Sequence, residues 1–191
     1  CNSSFAYKYF LINLIKELSL NGSKINLLIG KDENNKFLNL MNFKTFFVEM
    51  PKRSFINVFD FFFTSFKIRQ ILKINHYDYV ISNNRDASFC ARLSLFFYGI
   101  KKPKSIYLAR GFYFNDSQNY FFWLFSYLIE LLLLFQTNLI LSQSREDLNK
   151  TSFFLNFFKV RFFWIGNGVN FDEFNFTNII KKNKYINFVT T

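Results

Sequence analysis

The sequence predicts an α/β fold, an open doubly wound sheet of parallel strands. Short apolar runs alternate along the chain with segments of helical length, the pattern of strand, crossover helix and parallel strand. Most of the apolar runs end in glycine or polar residues, as buried strands do. With 191 residues, half of them hydrophobic and 31 of them Phe, the chain is long enough to fill one sizeable core. Only 6 Gly and 2 Pro argue against disorder or a loop-rich scaffold.

The elements follow in order. "FAYKYFLINLIKELSLNG" sets Phe10, Leu11, Leu14, Ile15 and Leu18 on one helical face, and Asn21-Gly22 closes it. "KINLLIG" is a buried strand stopped by Gly30, "KDENNK" a polar loop, and "KTFFVEM" a second strand broken by Pro51. "SFINVFDFFFTSFKIRQIL" has helical length with Ser54 as its N-cap. "YDYVISN" is a strand with a polar end, followed by a helix from about Asp86 to Gly99 and the strand "KSIYLARG". A long apolar helix, the strand "TNLILSQ", the capped helix "SREDLNKTSFF" and the strand "KVRFFWIGNG" complete the alternation.

After Phe174 the texture becomes polar and basic, and "YINFVTT" reads as the first strand of something else. Residues 1–176 are therefore expected to form one domain, with 177–191 a linker and the start of another. Residue 1 is Cys, and no signal-like segment precedes the first helix. The expectation is a chain truncated at both ends.

Composition excludes several function classes. Cys1 and Cys90 are far apart and, with one His, make a poor inventory for a metal site. A reduced protein with a buried Cys90 is expected, in the cytoplasm. The net charge of +11 would suit a polyanion. Phe, Asn, Lys and Ile are all abundant, however, which is a coding bias that raises Lys without any polyanion. The basic residues are also scattered, apart from Lys101, Lys102, Lys104 and Lys181, Lys182, Lys184. Nucleic acid is not an expected partner.

"YFFWLFSYLIELLLLF", Tyr120 to Phe135, has the look of a membrane segment. A spanning helix needs about 20 apolar residues, and Glu130 interrupts this run. A carboxylate at bilayer depth costs on the order of 3 kcal/mol. The expectation is a core helix covered by the sheet and by other helices, with a membrane-touching face as the alternative.

The order of these motifs resembles a known family. "YDYVISNNRDASFCARLSLFFYGIKKPKSIYLARGFYF", "WLFSYLIELLLLFQTNLILSQSREDLN" and "VRFFWIGNGVNFDEF" together resemble the N-terminal domain of family 4 glycosyltransferases of the GT-B fold. The likeness is to the bacterial enzymes that build capsular and lipopolysaccharide sugars, and it covers almost the whole chain. It implies a Rossmann-like lobe that holds a glycan or lipid-linked acceptor. A second lobe, with paired glutamates, would bind the nucleotide-sugar donor. It also implies no cofactor and no metal. The basic balance and the apolar helix would suit loose attachment to the inner face of a membrane, where lipid-linked acceptors reside. Where the family carries His before the glycine of "YLARGFYF", this chain has Arg110. The rival reading is a non-catalytic remnant or a membrane-surface binding module with the same fold.

Ligands of open parallel sheets collect beyond the carboxyl ends of the strands. There the chain places Ser82-Asn83-Asn84-Arg85, Arg110-Gly111 and Gly166-Asn167-Gly168. Arg110 is the candidate catalytic residue, because a fixed guanidinium stabilises charge developing on a phosphate leaving group. A structural pair between Arg110 and a carboxylate such as Glu130 is the competing reading. Asn84, Arg85, Gly111, Asn167 and Gly168 are the candidate substrate-binding residues. Against them stand a solvated helix start for Asn84 and Arg85, and a tight turn for Asn167-Gly168. His76 reads as a turn residue. Ser142, Ser144, Glu146 and Asp147 read as a helix start.

Overall fold

The structure, a computed structural model, describes residues 7, 11–31, 43–51, 58–112 and 119–166. The expectations for Ser54, the "KDENNK" loop after Lys31, Asn167, Gly168 and residues 177–191 lie outside the described residues.

The first helix among the described residues, α1 (Ile12–Leu20), ends where Asn21 caps it and Gly22 takes a φ of +81°, a conformation open to glycine at little cost. It leads to β1 (Asn26–Gly30), which pairs in parallel with β2 (Lys44–Val48). Alternation along β1 sends Leu27 and Ile29 to one face, where they bury against Ile15 of α1 and Tyr7. Leu14, expected on the buried face of α1, is exposed instead. The packing uses a narrower stripe centred on Ile15, with Leu11 partly buried beside it.

The longest helix, α2 (Val58–Asn75), follows, and the Thr64 hydroxyl donates to the Glu49 carbonyl just past β2. His76 ends it with a φ of +49°, its N–H donating to the Leu72 carbonyl. This is the turn role expected of His76.

A second sheet then forms from β3 (Tyr79–Asn83), β4 (Lys104–Ala109), β5 (Leu139–Ser142) and β6 (Arg161–Trp164). All neighbours are parallel and stand in chain order. The crossovers are α3 (Arg85–Phe96), α4 (Tyr120–Leu134) and α5 (Arg145–Phe157). Tyr107, Ala109 and Ile140 bury beneath Leu134 of α4 and Leu148 and Leu155 of α5. On the same side, Leu28 and Val80 meet Ile68 and Leu72 of α2 and Cys90 and Leu95 of α3. With α1 on one face of β1 and α2 and α3 against the other, helices lie on both faces.

The architecture is thus α/β, parallel and Rossmann-like, as the sequence implies. It differs from the expected single sheet in one respect. Among the described residues no ladder joins β1–β2 to β3–β6. The two sheets are linked through side chains, Asn26 Nδ2 donating to the Tyr77 hydroxyl at 2.7 Å and Leu28 packing in the cluster with Val80.

The apolar helix α4 also departs from expectation. Glu130, Leu133 and Leu134 are buried, while Phe121, Phe125, Leu128 and Leu132 are exposed. Its inner face packs on the sheet layer, and its outer face is uncovered among the described residues. Among those residues, no helix is long and apolar enough to cross a membrane.

Candidate functional site

The carboxyl ends of β3, β4 and β5 bring together the residues with chemical potential. Register explains the central contact. Asn83 closes β3 opposite Leu108 of β4, so Arg110, one pleat repeat beyond Leu108, falls on the same face as Asn83. Arg110 Nε donates to Asn83 Oδ1 at 3.0 Å. Asn83 is buried, and its Nδ2 has no hydrogen-bond partner among the described residues. Partial burial lowers the Arg110 pKa from its ordinary value of 12.5, since removal from water disfavours the charged form. The guanidinium nevertheless remains a cation at neutral pH, a donor that accepts no proton.

Gly111 turns the chain away from β4 with a φ of +132°, and its carbonyl accepts a hydrogen bond from the Tyr107 hydroxyl at 3.2 Å. A side chain there would be strained by the backbone angle alone. Gly111 therefore shapes the strand end and presents no side chain to a ligand.

Asn84 is held at a φ of +65°, and its side chain accepts from the Ala87 N–H as the N-cap of α3. Its oxygen is committed to the helix start, the reading that competed with acceptor binding. Arg85 and Asp86 form the first turn of α3, with Asp86 buried. At the end of β5, the Ser142 hydroxyl donates to the Ser144 carbonyl, and Ser144 caps α5 by accepting from the Asp147 N–H. Glu146 and Asp147 occupy that first turn, where carboxylates favour the positive end of the helix dipole.

The pairing of Arg110 with Glu130 is not what the structure shows. Glu130 is bound by Arg92, Nη1 to Oε1 at 2.6 Å and Nη2 to Oε2 at 3.2 Å. Arg92 also donates from Nε to the Ser88 carbonyl, and its guanidinium lies 4.5 Å from the centre of the Tyr107 ring. Arg92 lies deeper in the helix layer and reaches α4 from α3, whereas Arg110 is drawn to Asn83 beyond the strand ends. The structural reading of Arg110 through Glu130 is therefore replaced by one through Asn83.

Sequence reasoning set Asn83 at a polar strand end without giving it a role, and it missed Arg92. Asn83 carried a readable signal, the last position of a strand facing the same side as a later basic residue. Arg92 carried a weaker one, a lone cation in an otherwise small and apolar helix stripe with Ser88 and Leu95. Among the described residues, no three His, Cys, Asp or Glu side chains converge as metal ligands would. Cys90 is a buried free thiol.

The arrangement offers a cation anchored by an amide whose own N–H₂ lacks an acceptor among the described residues, beyond two adjacent strand ends. That pairing suits an oxyanion or a hydroxyl-bearing ligand. In comparison with known proteins, the chain matches no family model and no curated protein.

Proposed function

We propose that this chain is the acceptor-holding lobe of a glycosyltransferase of the GT-B fold. The reaction would transfer a sugar from a nucleotide-sugar donor to a glycan or lipid-linked acceptor in cell-surface polysaccharide synthesis. The observation that carries the reading is Arg110 held by Asn83 at the carboxyl ends of β3 and β4. A cation fixed there would stabilise charge developing on the leaving phosphate, or orient a phosphate on the acceptor. The parallel α/β fold and the order of motifs support the same reading. Arg110 serves as an electrostatic group, because a guanidinium does not act as a base.

The test is twofold. Binding of a lipid-linked sugar phosphate to the 191-residue chain should be lost in Arg110→Ala, and the chain alone should not turn over nucleotide-sugars. Turnover by this chain alone, or acceptor binding indifferent to Arg110, would refute the division of labour.

A second reading is a membrane-surface binding module without catalysis. The uncovered stripe Phe121, Phe125, Leu128, Leu132 on α4 favours it, since an apolar helix face suits the boundary of a membrane leaflet. Both readings place the protein at the inner face of the cell membrane. They separate on whether Arg110 matters for anything other than vesicle attachment.

A further inference from the structure

The outer side of the α2–α3 pair carries a second site, remote in character from the strand ends. Ile68 and Leu72 turn α2 toward the core, leaving Phe62, Phe63 and Phe66 exposed on its other side. Together with Phe97 they wall a cavity of about 600 Å3, a size that suits a small ligand. Arg69 lines the same cavity, and its Nε is buried with no hydrogen-bond partner among the described residues. Among the described residues, no ion pair joins Arg69 to a carboxylate. Asp60 also lines the cavity, but it lies about 13 Å along α2 from Arg69 at ~1.5 Å per residue. The nearby Ser65 and Ser94 hydroxyls donate to carbonyls of their own helices.

Two features of this groove call for explanation. Aromatic walls open to water mark surfaces that something apolar covers. A buried guanidinium N–H without an acceptor is unfavourable until an oxygen reaches it. One molecule answers both. We propose that the groove binds a single-chain anionic amphiphile, an alkyl or prenyl chain ending in phosphate or carboxylate. The chain would lie along Phe62, Phe63, Phe66 and Phe97, and the oxyanion would be bound by Arg69, whose planar fork matches either head group. A neutral apolar partner would leave Arg69 unsatisfied, and a free anion would leave the phenylalanines exposed. The proposal does not depend on sugar transfer, because binding is read without any donor.

The test titrates the 191-residue chain with dodecyl phosphate and with dodecanoate, both below their micelle concentrations. Dodecanol serves as the uncharged chain and inorganic phosphate as the bare head group. At least one of the two anionic amphiphiles should bind ten times or more tightly than dodecanol, and their ranking identifies the head group. Inorganic phosphate should not bind measurably. Arg69→Gln should bring the anionic amphiphiles to the affinity of dodecanol, while Phe66→Ala should weaken every alkyl ligand alike. Phe66 is exposed, so its variant retains the fold, and circular dichroism checks both proteins. Equal binding of dodecanol, discrimination that survives Arg69→Gln, or binding seen only with micelles would overturn the proposal.

Discussion

Arg92 and Glu130 form a two-pronged ion pair between α3 and α4, both side chains almost wholly buried, with Tyr107 lying against the guanidinium. The pair explains how a carboxylate sits inside an otherwise apolar helix. Both charges are removed from water, so each depends on the other. Glu130→Gln should destabilise the chain by about 3 kcal/mol, because a buried guanidinium loses its counter-charge. Arg92→Met combined with Glu130→Leu should cost less than Glu130→Gln alone. Urea unfolding of the wild type and both variants checks the order, and a double variant that loses more than Glu130→Gln would overturn it.

Arg110 and Asn83 form the corresponding pair at the candidate site, and there the readout is kinetic. In a sugar-transfer assay with the donor-binding lobe present, Arg110→Ala should lower kcat about a hundredfold, the scale of one lost electrostatic donor. KM for the donor should change far less. Asn83→Leu should produce a smaller fall in kcat by releasing the guanidinium. Lowered thermal stability with unchanged kcat would mean that the contact is purely structural.

Cys90 provides a pH test of the core. Burial, the largest influence, pushes its thiol from 9.0 up to about 12. The folded state therefore keeps a proton that the unfolded state releases. Stability from this group is complete below pH 9.0 and is lost as pH rises from there toward about 12. Tyr107, raised by burial and then by Glu130, adds loss in the same direction above 10.0. Cys90→Ala should show a shallower alkaline decline in urea midpoint than the wild type. The native thiol should also resist alkylation until the chain unfolds.

Lys159 follows α5 with a φ of +54°, and its N–H bonds to the Asn156 carbonyl. A left-handed residue costs an L side chain roughly 1–2 kcal/mol, and glycine returns part of that gain as backbone entropy. Lys159→Gly should therefore stabilise the protein by about 0.5 kcal/mol. Thermal unfolding decides the sign.

On α4, Leu128→Glu should leave stability nearly unchanged, because Leu128 is exposed. It should reduce cosedimentation with anionic vesicles if the helix face meets a membrane. Unaltered vesicle binding would remove α4 from that role.

The elements were legible in the sequence because their signals are local. Alternation and stop residues marked β1 to β6, the serine at 144 with its acidic first turn marked α5, and Asn21-Gly22 marked the end of α1. Partnerships across elements were less legible. Glu130 needed a cation, and nothing local to "LIELL" distinguished Arg110 from Arg92. The answer lay in strand register and helix facing, which place Arg110 beside Asn83 and Arg92 inside the helix layer. The division into two ladders was hidden for the same reason, since hydrogen bonding between β1 and β3 is not a property of either segment. The exposed face of α4 was hidden too, because hydrophobicity alone does not report what lies outside a helix.

The chain-order arrangement of β3, β4, β5 and β6 has a consequence for assembly. Each strand docks on the one synthesised just before it, so the sheet can lengthen stepwise as the polypeptide emerges, and among the described residues no late segment threads between finished neighbours. Solvent-exchange protection should accordingly be deepest at the amides of β4 and β5, the interior rungs, and should fade toward the final rung at β6.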